Sequence, residues 1–337
     1  MISETARYLA GLDPNARVKP GLLSNPLAKT NWRTVGHSRL KRLLPAPEAA
    51  IETPSINALE PALEALLFEH AVNVVILNGG DGTIHHTLNA AIRVTDRHRV
   101  RMPLFLFVNG GGMNMLARVF GTRGHPVRTF DKFLSHIRGA RFGSVPKRGV
   151  PLLAAREPDG TMRHGTIFGS ELVFNALTMY ERFGQGYGGL LRFLYEVAAG
   201  YALRTELWNR YGHLLDAPTT PLEMDGDVFP RYTSVVATTV PLQLVKGAVA
   251  TFRRMASPGG MNAVGVLPID KGEVIALIPR LMIGAPAPGL AYRDDVHRIV
   301  VRGAYTIDGE RFDRHAGDPQ APLEVVGTQR VVWGVWL

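Results

Sequence analysis

The stretch VVILNGGDGTIHHTLNAA, residues 74–91, carries four aliphatic residues and an amide into a run of glycines that holds a single carboxylate, Asp81. An unbroken apolar run of this length, bounded by turn residues, reads as a strand buried on both faces. The continuation IHHTLNAAIRV has the apolar spacing of a helix. Strand, glycine turn and helix then follow one another within 20 residues. Glycines at such a junction let several backbone N–H groups converge on one anion, and the helix amino end adds positive potential, so the natural guest is phosphate. A carboxylate among them repels phosphate. Asp81 therefore reads as holding Mg²⁺, ordering a water or bonding loop amides, and the plain structural alternative is a cap on a helix that begins near Thr83.

The same pattern extends outward in both directions. KPGLLSNP (Lys19–Pro26) reads as a buried strand ended by an Asn-Pro turn, and ALEPALEALLFEHAV (Ala58–Val72) as an amphipathic helix. MPLFLFVNGGG is a second strand entering glycines, and MNMLARVFG a second helix closed by Gly121. Strands that alternate with helices predict a parallel, doubly wound sheet with its ligand at the carboxyl ends of the strands.

Beyond about Arg141 the texture changes. GTIFGSELVF, TSVVATTVPLQLV, GEVIALI, HRIVVRGAYTIDGE and LEVVGTQRVVWGVWL read as β segments, interrupted mainly by a helix in GGLLRFLYEVAAGYALR with Leu190, Leu191, Leu194, Val197, Ala198 and Tyr201 on one face. The expected class is α/β: an N-terminal doubly wound, Rossmann-like nucleotide-binding domain over 1–143, then a second, mainly antiparallel β-sandwich domain over 144–324. Residues 325–337 are a candidate return to the first domain.

The 337 residues contain no cysteine, which excludes disulfides and thiolate metal sites, and carry a net charge of +9 that favours anionic partners. No apolar run reaches the ~18 residues of a membrane span, and the first residues lack a secretory pattern, so the expected location is cytoplasmic with peripheral membrane association. His85 and His86 are adjacent and point to different sides of a helix, which is poor geometry for one metal. Gly-x-Ser-x-Gly and Gly-x-Gly-x-x-Gly are both absent. RVTDRHRVRM (Arg93–Met102) reads as a solvated loop, and no aromatic-and-basic platform for nucleic acid is legible.

The loop Gly79–Thr83, GGDGT, resembles the nucleotide loop shared by diacylglycerol, sphingosine and ceramide kinases and by NAD kinases. Four further features resemble the diacylglycerol-kinase-like lipid kinases: Asn25-Pro26 at the end of a strand, Thr53 in AAIETPS, GGMNMLAR (Gly111–Arg118), and Asp308, Gly309 and Glu310 in YTIDGERF. The resemblance implies an ATP-dependent lipid kinase with ATP along Asn25, Thr53, Gly79, Gly80, Asp81, Gly82, Thr83, Gly111, Gly112 and Asn114. It implies Asp308 as general base, Asp81 and Glu310 serving Mg²⁺ beside it, and a lipid hydroxyl at a membrane surface as acceptor. A homodimer is left open, and no nucleic acid partner is implied. Without the family, Asp308-Gly309 reads as a hairpin turn.

Several family acids are replaced. Gly111, Gly112, Met113, Asn114 and Met115 stand where the pattern is Gly-Thr-Gly-Asn-Asp, and His86 stands where a glutamate is usual. VPKRG (Val145–Gly149) replaces an Asp-Leu-Gly, and SPGG (Ser257–Gly260) an Asp-Asp-Gly. The open alternatives are a nucleotide- or lipid-binding member without turnover, and an NAD kinase.

Overall fold

The computed structural model describes residues 3–28, 37–109, 115–122, 124–180, 187–242, 252–282, 285–313 and 321–337. The chain divides into two compact units, Met1–Val150 with Val332–Leu337, and Pro151–Val331.

The first unit contains, in chain order, α1 (Glu4–Gly11), β1 (Pro20–Ser24), α2 (His37–Leu43), β2 (Ala50–Glu52), α3 (Leu59–Glu64), β3 (Val74–Gly79), α4 (Asp81–His98), β4 (Leu104–Asn109), α5 (Met115–Val119) and α6 (Pro126–Ile137). Strand β1 lies between β2 and β3, with β4 beyond β3, and every pairing is parallel. The end of the chain joins next to β4, Gly334 beside Phe105 and again parallel. Alternate strand residues, Leu22, Val74, Ile76, Leu104, Leu106 and Val108, share one core with Leu40, Val127, Phe130 and Phe133 of α2 and α6. Gly21 faces the other way, and a Cβ there would stand 2.7 Å from Val72 and 3.0 Å from Leu66. Both faces of the sheet are thus covered, which is why its strands are apolar without alternation. Helix α3 continues into a π-helical turn, Ala65–Glu69, and α4 packs on β3 and α3.

Two sequence expectations shift here. Helix α4 begins at Asp81 with Gly80 as its N-cap, two residues ahead of Thr83. It also runs on through Arg93 and Arg97, which were expected in a loop. The reason is an ion-pair ladder to α3: Arg93 and Arg97 bind Glu60 at 2.6 Å each, and Arg97 binds Glu64 at 2.9 Å. The hydrogen bond from Arg93 holds the Glu60 carboxyl below its ordinary range, with Arg97 reinforcing it. At the chain start, Tyr8 Oη donates to the Arg101 carbonyl at 2.7 Å and ties α1 to the segment entering β4.

The second unit contains most of β5 (Lys147–Arg156), then β6 (Met162–Gly165), β7 (Ile167–Gly169), α7 (Glu171–Tyr180), α8 (Tyr187–Leu203), α9 (Glu206–Tyr211), β8 (Leu222–Met224), β9 (Asp227–Phe229), β10 (Ser234–Thr238), β11 (Met261–Val266), α10 (Lys271–Met282), β12 (Leu290–Val296), β13 (Arg298–Val301), β14 (Tyr305–Ile307), β15 (Glu310–Phe312) and the start of β16 (Leu323–Val335). One sheet orders β12-β11-β10-β7-β14-β15, with antiparallel neighbours. In the other, β13 pairs with β16 and β8, β8 with β9, and β5 with β6, all antiparallel. Leu153, Phe168, Leu222, Val235, Met261, Ile299, Tyr305 and Leu323, drawn from both sheets, form a single buried core. That core is the expected sandwich.

Its helical content exceeds the expectation. ELVF and GEVIALI, expected as β segments, lie in α7 and α10. A run such as Val-Ile-Ala-Leu-Ile fits a buried strand or a buried helix, and the decision falls to the ends. Asp270 settles the second case, because its Oδ1 accepts from the N–H groups of Gly272 at 2.8 Å and Glu273 at 3.1 Å, the bonds of a helix N-cap. In α8, Phe193 and Val197 form the buried face with Trp208, whereas Ala198 is exposed. Asp270→Ala is expected to cost the second unit about 1 kcal/mol, read as a lower urea midpoint with an unchanged slope.

Candidate active site

The glycine turn is built by contact between its own residues. A Cβ on Gly79 would stand 2.5 Å from the Cβ of Thr83, so only glycine lets the first turn of α4 fold back onto the end of β3. Gly80 is extended, with φ −88° and ψ −177°, and its carbonyl accepts from the Ile84 N–H at 3.0 Å. Asp81 is then the first residue of α4, half-exposed beside the positive end of the helix, with Gly82 and Thr83 half-exposed after it.

Asn25 reaches this turn from β1. Its backbone N–H donates to the Asn78 carbonyl at 3.0 Å, and its side-chain amide donates to Thr83 Oγ1 at 2.9 Å. Its Oδ1 accepts from the Leu27 N–H at 2.8 Å and so folds the Asn-Pro turn on itself. Asn25, Gly79, Gly80, Asp81, Gly82 and Thr83 are therefore brought together at the carboxyl ends of β1 and β3. Thr53 sits at the neighbouring end of β2, where its N–H donates to the Ser24 carbonyl at 2.9 Å and its hydroxyl to the same oxygen at 3.4 Å. It is 3 % exposed, so its present role is to join β2 to β1. Gly111, Gly112 and Asn114 lie outside the described residues.

His85 is buried and its ring meets that of His86 edge-on at 5.1 Å. Among the described residues no three of His, Asp and Glu gather as a metal site. A hard oxygen donor next to a phosphate loop does fit Mg²⁺, which is commonly held by one or two carboxylates and by the phosphates of the substrate. The cations of VPKRG are engaged elsewhere: the Arg148 guanidinium lies 4.8 Å over the Trp336 ring and donates to the Val119 carbonyl at 3.0 Å. Lys147 Nζ lies 5.9 Å over Phe142.

In the second unit, Asp308 and Gly309 form the two-residue turn between β14 and β15, with φ of +53° and +88°. Positive φ at both positions suits Asp-Gly and matches the twist of the hairpin. Asp308 Oδ1 is held by three donors, the Thr166 N–H at 2.9 Å, the Thr166 hydroxyl at 2.7 Å and the Ile167 N–H at 3.0 Å. The Asp308 N–H donates in turn to the Ile167 carbonyl at 2.8 Å. Oδ2 lies toward Gly165, where a Cβ would approach it to 2.6 Å and would press into Ile307. Below the turn, Tyr305 stacks between Phe168 and Phe312 at 5.9 and 5.2 Å and donates to Glu157 at 2.6 Å. Burial pushes its phenol well above the ordinary range. Glu310 opens β15, half-exposed and paired with Ile307.

Gly165 and Thr166 were not singled out in the sequence. The signal for them is a Gly-Thr pair between two short strands, legible only once the hairpin is known to dock there. Turn geometry alone does not identify Asp308 either, because Asp225-Gly226 has the same positive φ pair, +48° and +92°. Its carboxylate accepts from the His297 and Arg298 N–H groups, between 2.8 and 3.1 Å.

The parallel sheet with a glycine turn at its carboxyl ends, followed by an antiparallel sandwich, gives a two-domain α/β architecture. Residues 21–145 match the diacylglycerol kinase catalytic domain family, which bears out the resemblance to that family over this segment. The chain is similar to a solved diacylglycerol kinase structure from Bacillus anthracis str. Sterne, with a TM-score of 0.54, 13 % identity, and 95 % of this chain and 97 % of that one covered. Two further structures from that strain align with TM-scores of 0.56, at 13 % and 14 % identity and the same coverage. At such identity the likeness establishes the fold. A comparison with curated proteins finds no match.

Gly79→Ala is expected to push Thr83 away and break its bond to Asn25, at a cost of about 1–3 kcal/mol for overpacking a filled site. Chemical denaturation followed in the first unit measures this.

Proposed function

We propose that this chain is an ATP-dependent lipid kinase that transfers the γ-phosphoryl group of ATP to a lipid hydroxyl, diacylglycerol-like or sphingoid. The observation that carries this reading is the pairing of a family catalytic-domain match with a glycine turn whose amides open the first turn of α4. Consecutive N–H groups at Gly80, Asp81, Gly82 and Thr83 suit the phosphates, with Asn25 fixing the turn from the side. Asp81 would hold Mg²⁺, which neutralises charge on the phosphates when it is bound.

Asp308 is the general base of this reading. As the lipid hydroxyl oxygen attacks the γ-phosphorus, its proton passes to Asp308, the new P–O bond forms, and the bond to the β-phosphate oxygen breaks to leave ADP. Phosphoryl transfer asks mainly for positioning and charge stabilisation, and three donors on Oδ1 fix the carboxylate plane so that the proton is taken at Oδ2. Thr166 is thereby a positioning residue.

The test is transfer of labelled γ-phosphate to a lipid extract in micelles, with NAD⁺ offered in parallel. Asp308→Asn is expected to lower kcat by about 10²–10⁴-fold with ATP binding retained, and Asp81→Asn to raise the Mg²⁺ concentration needed for half-maximal rate. Thr166→Val should lower kcat by roughly ten- to a hundredfold with little change in KM, and Thr166→Ser should return most of it. Label on NAD⁺ instead of lipid, or parental activity in Asp308→Asn, contradicts the reading.

A further inference from the structure

Helices α2 and α6 pack against each other and spend their apolar sides on one core, Leu40 with Val127, Phe130 and Phe133. Their outer sides are basic. Arg39 and Arg42 of α2, Arg128 and Lys132 of α6, and Arg138 at the C-cap of α6 are all exposed, and Lys41 is half-buried beside them. Asp131 is the one carboxylate in the two helix sequences, HSRLKRL and PVRTFDKFLSHI. Among the described residues none of these cations is ion-paired, in contrast to Arg93 and Arg97 of the same unit, which are held by Glu60 and Glu64.

Leaving five exposed like charges together with one carboxylate among them is unfavourable for the fold, since they repel. We infer that the α2/α6 face is the surface by which this chain docks on an anionic lipid bilayer. A cluster of four to eight Lys and Arg on an amphipathic helix surface suits negatively charged head groups, which diffuse to match any pattern of cations. With Phe130 and Phe133 fully buried, the phenylalanines of the α6 segment are spent on the core and offer no stacking platform of the kind single-stranded nucleic acid uses. The contact is electrostatic and not insertional, because the apolar side of α6 is already in the core. The choice of lipid as occupant rests on the lipid-kinase reading, whereas the experiment reads binding and not turnover, so the two fail separately.

The test is co-sedimentation of the full chain with vesicles of phosphatidylcholine alone and of phosphatidylcholine mixed with phosphatidylglycerol. The parent is expected to bind only the mixed vesicles and to be released by salt. Each basic residue near an anionic surface contributes about a fivefold factor. The variant Arg39→Gln, Arg42→Gln, Arg128→Gln, Lys132→Gln should therefore lose at least about a hundredfold in affinity, with an unchanged melting temperature. A control that removes the same charge from exposed Arg99, Arg101, Arg253 and Arg254 should bind within a few-fold of the parent. Equal loss in both variants, or no binding by the parent, overturns the inference. So does a mixed-sequence oligonucleotide that binds the parent more tightly than the vesicles and is lost with the α2/α6 variant, which would make the face a nucleic-acid surface.

Discussion

The close approach of Thr83 to Gly79 is the contact on which the first unit depends. It turns the end of β3 into the start of α4 within two residues, which leaves the amide groups of Gly80–Thr83 at the amino end of an 18-residue helix. An alanine at Gly79 has no room, and a longer loop would carry those amides away from the strand ends. Asn25 completes the arrangement by binding Thr83 from the neighbouring strand. One hydrogen bond thus connects the two motifs that lie 58 residues apart in the chain.

Asp308 illustrates the same economy in the second unit. Its hairpin turn supplies the backbone geometry, and Thr166 and Ile167 supply the orientation, through three donors on a single oxygen. Gly165 is the counterpart of Gly79: a missing Cβ makes room for a neighbouring side chain, Asp308 in one case and Thr83 in the other. In the same kind of turn Asp225 engages both carboxylate oxygens with the N–H groups of His297 and Arg298, whereas the three donors to Asp308 described above share Oδ1.

How much of this was legible in the sequence follows from how local each signal is. Strands β1, β3 and β4 and the glycine turn could be read because an apolar run ending in Asn-Pro or Gly-Gly is decided within a few residues. The two sheets of the second unit were legible as a class. Helices α7 and α10 were not, because an apolar run of five or six residues satisfies both periods and the deciding cap, Asp270, lies outside it. Arg93 and Arg97 were misplaced in a loop because their partners, Glu60 and Glu64, are some 30 residues upstream. The bond of the Thr53 hydroxyl to the Ser24 carbonyl was not legible, because it depends on the pairing of β2 with β1. The α2/α6 basic face was invisible as a patch, since its cations come from two segments about 90 residues apart that only the shared core brings together.

The most direct test of the central claim, that the Gly79–Thr83 turn is a triphosphate site, is a titration of the isotopically labelled chain with ATP and Mg²⁺ followed by amide resonances. Gly80, Asp81, Gly82 and Thr83 are expected to shift most, and to saturate together. Saturable ATP binding that leaves those four amides unmoved would contradict it.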